Sequence, residues 1–199
     1  MSEKILLVTG FDPFGGESVN PSFEAVKALP DKIGEWRIIR LLIPTVYEKA
    51  PALALERAKE ISASAVLCIG QAGGRAAVTP EVIGINLREA SIPDNEGRLC
   101  SGEPIEKGGA AAYFSTLPVR EMVAAIKKEG LPSSLSYSAG AFVCNDTLYS
   151  LLRVFDGTPV RVGFIHIPFI PEQTADKKGV PSLALTDSVR AIEAAIRVI

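Results

Sequence analysis

Cys144 stands in the stretch "SAGAFVCNDTLYSLL" (138–152), where small and apolar residues give way to helical spacing. If a strand end precedes it and a helix follows, its sulfur sits at a helix mouth, where free backbone N–H groups and the macrodipole favour an anion. A cysteine so placed titrates below the ordinary value of about 8.5 and becomes a nucleophile near neutral pH. N–H groups around residues 143 to 145 would then hold the oxyanion of a tetrahedral intermediate. The competing reading is a small buried hydrophobe, the usual state of a free cysteine. The single histidine, His166, lies in "GFIHIP", an apolar strand ending at Pro168. It is either a satisfied core residue or the one imidazole able to protonate a leaving amine. Glu81, in "VTPEVIGIN", is a carboxylate on an otherwise apolar strand and is hard to bury without a partner. An imidazole would supply that partner, as in a triad where a carboxylate fixes the tautomer. An exposed strand-edge glutamate remains the alternative.

Positioning three such groups requires strands that end together. "KILLVTG" (4–10), "SAVLCIG" (64–70) and "RVGFIHIP" (161–168) are continuous apolar runs, the mark of strands buried on both faces of a parallel sheet. "WRIIRLLIP" (36–44) is mixed and more exposed, and "TPEVIGINL" (79–87) reads as a further strand. Helical spacing covers 21–29, 47–62, 118–130 and 183–199, besides the segment after Cys144. Ser115 or Thr116 can cap the third of these, Gly130 stops it, and Pro51 is tolerable only near a first turn. The alternation predicts an α/β fold, an open three-layer α/β/α sandwich with a mostly parallel central sheet. Residues 88–114 lack periodicity and read as a long functional loop or hairpin.

The chain has 199 residues, within the range of one domain spanning 1–199. No run approaches the roughly 18 to 20 apolar residues of a membrane helix. The opening "MSEKILLVTGF" lacks the features of a signal peptide, so a cytoplasmic location is expected. Cys68, Cys100 and Cys144 show no CxxC spacing, which argues against a disulfide framework or a metal site. A net charge of −2 with interspersed signs gives no basic stripe for nucleic acid, so a small or weakly charged ligand is expected.

Five segments in order, "VTGFDPFGGESVNPS" (8–22), "GQAGGRAAVTPEVIGIN" (70–86), "SIPDNEG" (91–97), "SAGAFVCN" (138–145) and "GFIHIPFIPEQ" (163–173), resemble pyroglutamyl peptidase type I, the pyrrolidone carboxyl peptidases. The resemblance implies a cysteine peptidase that removes N-terminal pyroglutamyl residues from peptides, with a triad on Glu81, Cys144 and His166. It further implies a cytosolic homotetramer without cofactor. Phe11 and Phe14 match the family's aromatic walls for the lactam ring, and Phe142 and Val143 complete the slot. Asn20, Gln71 and Ile92 match further pocket positions. The ligand suits such a pocket, because pyroglutamate is flat, neutral and cyclised and takes aromatic faces plus a few hydrogen-bonding groups. Without the resemblance, "GFDPFGG" is a turn with two core phenylalanines or, weakly, a phosphate cradle; it lacks the P-loop lysine and GxGxxG spacing.

The chain also departs from the family pattern. Val82, Ile83 and Gly84 stand where the family carries a basic residue, an aliphatic one and alanine. Tyr137 replaces a small polar residue, and Ser91 stands where the family carries arginine, a loss that Arg75 or Arg88 would have to offset. Asp94 competes with Glu81 as the group orienting His166, although an Asp-Asn-Glu-Gly run also suits a solvated turn. Cys68 reads as core, and Cys100 as an exposed loop thiol. Two rival functions remain: a cysteine hydrolase of the same mechanism acting on another small cyclic or capped amide, and a non-catalytic binding module.

Overall fold

A computed structural model describes residues 4–199. Its centre is a six-stranded sheet in the order β2-β3-β1-β4-β8-β5. The four inner strands, β1 (Lys4–Phe11), β3 (Trp36–Ile43), β4 (Ala65–Gln71) and β8 (Arg161–Ile167), run parallel. Short antiparallel strands, β2 (Lys32–Ile33) and β5 (Thr79–Pro80), close the two edges. This is the predicted open three-layer α/β/α sandwich.

Alternation along the strands divides the core in two. Leu6, Val8, Leu67, Ile69, Ile165 and Ile167 face one way and pack with α1 (Pro21–Ala28), α3 (Val119–Lys128) and α6 (Leu185–Ile196). Leu7, Phe11, Val66, Cys68, Val162 and Phe164 face the other way, against α2 (Lys49–Glu60) and α4 (Val143–Phe155). On α4 the residues Leu148, Leu151 and Leu152 recur at helical spacing and are buried. Burial of each such side chain stabilises by about 1.5–3 kcal/mol, which seats the helix bearing Cys144.

Several boundaries differ from the sequence reading. The expected strand over 79–87 breaks: β5 stays on the main sheet, while β6 (Ile83–Ile85) pairs with β7 (Ala112–Phe114) in a separate two-stranded sheet. The loop 88–114 therefore ends in a strand, and its start is tied to Glu103 by reciprocal backbone bonds with Arg88. Neither Ser115 nor Thr116 caps α3, whose N-cap position is Pro118. Both hydroxyls instead donate to the Val162 carbonyl of β8. Pro51 lies in the first turn of α2, where its missing N–H costs nothing. Cys100 is buried in the second core, not exposed. Among the described residues no helix is long and apolar enough to cross a membrane.

Candidate active site

The sheet register places the candidate groups on one face. His166 follows Val162 and Phe164 at the period of a strand, so it points to the α4 side, and Gly70 of β4 is its register partner. Thr79 pairs with His166 from the other flank, and Glu81, two residues on, shares that face. Glu81 and His166 are buried, at 0% and 3% exposure. Glu81 Oε1 accepts from His166 Nδ1 at 2.7 Å. That bond assigns the imidazole proton to Nδ1 and leaves Nε2 as the acceptor.

Cys144 occupies the second position of α4, whose N-cap, Phe142, makes no side-chain capping bond. The first-turn N–H groups are thus left without a capping side chain, beside the sulfur. A β-carbon built on Gly70 would lie 3.0 Å from Cys144 Sγ. The sulfur is therefore lodged over the strand position adjacent to His166. The two residues following the cysteine hold it there. Asn145 accepts from the Ile85 N–H and donates to the Ile85 and Leu87 carbonyls, each at 2.9 Å. Asp146 accepts from the Glu48 N–H at 2.8 Å and from Arg88 Nε at 2.9 Å. Gly84 lets β6 approach this helix, because a β-carbon there would meet the Tyr149 backbone N at 3.0 Å.

Electrostatics set the resting protonation. Burial raises the Glu81 carboxyl, but the hydrogen bond and charge of His166, with Ser136 and Arg75, outweigh it and hold the group below its usual range. Burial lowers the His166 imidazole more than the Glu81 bond raises it. Cys144 runs against the sequence expectation: burial first, then the Glu81 carboxylate and Cys68, push its thiol up to about 12, with only Arg75 and its own backbone N–H opposing. The helix mouth alone does not overcome that desolvation. These directions favour an uncharged imidazole and an ionised Glu81 carboxylate and disfavour the Cys144 thiolate.

The remaining candidates separate. Asp94 does not face His166, since its carboxylate takes the backbone N–H groups of Tyr47, Glu96 and Arg98 and organises its own turn. Arg88 lies with Asp146 and Glu48, away from the Glu81 carboxylate. Arg75 does reach it, donating to Glu81 Oε1 at 2.7 Å. Phe14 and Phe142 have ring centroids 5.9 Å apart, and Tyr47, which sequence reasoning missed, meets Phe142 edge-on at 5.4 Å. Phe11 is buried against Phe164, and Val143 is a core residue that offers only its backbone. Asn20 caps α1 through Ser22 N and holds the Asp12 carbonyl. Gln71 Oε1 accepts from Gln173 Nε2 at 2.9 Å, which turns the Gln71 amide nitrogen away from that contact. Ile92 is exposed, its Cδ1 3.8 Å from where a Gly15 β-carbon would sit. An open cleft of about 600 Å³, lined by Ser91, Ser138, Gly140 and Ala141, borders the segment leading into Cys144. Among the described residues, no three His, Cys, Asp or Glu side chains could hold a metal ion.

Comparison with known proteins assigns this arrangement to a group. The pyroglutamyl peptidase family model matches residues 4–199. The chain belongs to the pyroglutamyl peptidase family. A pyrrolidone-carboxylate peptidase of Caldanaerobacter subterraneus is 49% identical over 196 residues, covering 98% of this chain and 97% of that protein. One from Streptococcus suis is 50% identical over 193 residues, covering 96% and 90%. The solved pyroglutamyl peptidase I of Bacillus amyloliquefaciens superposes with a TM-score of 0.94 at 48% identity, covering 98% of this chain and 96% of that one. Family membership makes the chain an enzyme of the cysteine peptidase type.

Proposed function

We propose that the protein hydrolyses the amide bond after an N-terminal pyroglutamyl residue, with Cys144 as nucleophile, His166 as general base and acid, and Glu81 as its orienter. The observation that carries this reading is the 2.7 Å Glu81–His166 contact beside the position of the Cys144 sulfur. Because the thiol is pushed up to about 12, proton removal accompanies attack: His166 Nε2 takes the thiol proton as Sγ bonds to the substrate carbonyl carbon. The first-turn N–H groups of α4 stabilise the oxyanion. The imidazolium then protonates the departing amine; water, deprotonated by the same ring, attacks the thioester carbonyl, and the C–S bond breaks to release pyroglutamate as the ring returns the proton to the Cys144 sulfur. Glu81 remains ionised throughout and compensates the transient charge on the ring.

Phe14 and Phe142, the latter backed by the buried Tyr47, support an aromatic face for a flat, neutral lactam near Cys144, with Gln71 at the C-terminal end of β4. The reading includes a cytoplasmic homotetramer, supported by the resemblance to the family and by the outward-facing Phe114 and Tyr137, 70% and 65% exposed. Cys144→Ala should abolish release of a chromogenic amine from a pyroglutamyl amide while leaving circular dichroism and thermal midpoint near those of the wild type. Retained turnover in that variant would overturn the assignment.

A further inference from the structure

We propose that Arg75 is a positioning residue of this reaction: its guanidinium joins the Glu81 carboxylate to the segment that delivers Cys144, and so fixes the pose and charge of the Glu81–His166 pair. The proposal rests on the reading above and names the group that keeps its carboxylate in place.

The geometry is specific. Arg75 leaves a glycine-rich loop after β4, in which Gly74 takes a φ of +84° and a β-carbon on Gly73 would strike the Phe169 ring at 2.3 Å. From there Arg75 Nη1 donates to Glu81 Oε1 at 2.7 Å and to Thr79 Oγ1 at 2.6 Å. Its Nη2 donates to the Ser138 carbonyl at 3.0 Å, six residues before the nucleophile. One guanidinium thus ties together the segment that carries Glu81 just past β5 and the chain entering α4. A planar fork with several fixed donors makes such a clamp, which a single ammonium cannot reproduce in full.

Charge accounting points the same way. Glu81 Oε1 takes both the His166 and Arg75 bonds, while Oε2 is buried with no hydrogen-bond partner. Without Arg75 the carboxylate keeps the His166 bond and the Ser136 hydroxyl but loses its cationic partner. The titratable and charged groups facing the pair are His166 on β8, Arg75 on its loop, Cys144 on α4 and Cys68 behind it on β4, with the neutral Thr79 and Ser136 hydroxyls flanking them. Arg75 is the cation in that set. Its positive charge favours the ionised carboxylate and disfavours the imidazolium. Removing it moves both groups toward protonation at higher pH.

His166 is the chain's only histidine, so its ring titration can be followed by NMR without interference and without turnover. The experiment measures that titration, and the pH profile of kcat/KM on a pyroglutamyl amide, in wild type, R75M and R75K. In R75M the imidazole midpoint should rise by about half a pH unit or more, roughly a threefold change in its acidity constant. The acid limb of the profile should move with it, and kcat should fall at least about tenfold with KM little changed. R75K keeps the charge, so its midpoint and acid limb should stay near wild type while kcat remains reduced by loss of the fork. An R75M midpoint and limb that do not move, or an R75K shift as large as that of R75M, would overturn the proposal. If R75M does not fold, R75Q carries the same prediction. A wild-type protein that cleaves no pyroglutamyl amide defeats the activity reading instead, and the imidazole titration still decides what Arg75 does.

Discussion

Gly70 shows how narrowly the sulfur is placed. A β-carbon there would lie 2.7 Å from two atoms of the Phe164 ring and 3.0 Å from Cys144 Sγ, so the strand must carry no side chain beneath the proposed nucleophile. Gly70→Ala should push the ring and the sulfur aside at a cost of about 1–3 kcal/mol, the usual range for overpacking. An ångström of misplacement at the reacting atom is worth about a hundredfold in rate. Kinetics of the variant on a pyroglutamyl amide should therefore show kcat down by about that factor, with KM changed far less. A variant with wild-type kcat would mean that the sulfur is not confined by β4. A thiol raised to about 12 is compatible with the proposed chemistry, in which the His166 ring takes the proton as the sulfur attacks.

At the scale of elements, α4 is held at its N-terminus by Asn145 and Asp146, not by a capping side chain. Asn145→Ala removes three bonds to the 85–87 backbone and leaves the Ile85 N–H and the Leu87 carbonyl without that partner in a part-buried setting, while the Ile85 carbonyl keeps the Leu87 N–H. At about 1 kcal/mol per bond the loss is about 3 kcal/mol, readable as a lower midpoint in urea unfolding, and turnover should fall with it as the helix mouth shifts. An unchanged midpoint would show that packing of the leucine face alone seats the helix. This junction marks the limit of what the sequence discloses. Uninterrupted apolar runs made β1, β4 and β8 legible, as did the 3.6-residue spacing of α4 and α6, because each signal is local. Glu81, Cys144 and His166 stood out as a candidate set from residue type, and from the resemblance to a family. The break between β5 and β6 was not, since it depends on Gly84 lying against Tyr149, a contact 65 residues away in the chain. Arg75 was legible only as a substitute cation; its grip on Ser138 comes from tertiary placement. Burial likewise reversed the expected direction for Cys144 and hid Cys100, and neither follows from chain position.

Across the whole molecule, the site sits where the second core ends and the sheet's last full strand meets its short antiparallel edge. The folded surroundings favour His166 uncharged and Glu81 ionised, which couples stability to pH. The imidazole titrates below its usual 6.5 in the folded chain, so the unfolded chain binds the proton first and stability drains as pH falls below about 6.5. Glu81, held below its usual 4.5, contributes stability that is present above that value and is lost as pH falls further, through its folded titration. Asp146 acts with the opposite sign: burial raises it above its usual 3.8, so its charged form costs stability at neutral pH and acidification relieves part of that cost. The thermal midpoint, followed by calorimetry, should therefore decline first between about pH 6.5 and 4.5 through His166, and more steeply below. His166→Gln removes the titrating ring, and its midpoint should be flatter than wild type over the upper interval while both fall together below it. A wild-type midpoint that falls no faster than that of His166→Gln from pH 6.5 to 4.5 would contradict a neutral buried imidazole, and with it the proton acceptor on which the chemistry proposed at Cys144 depends.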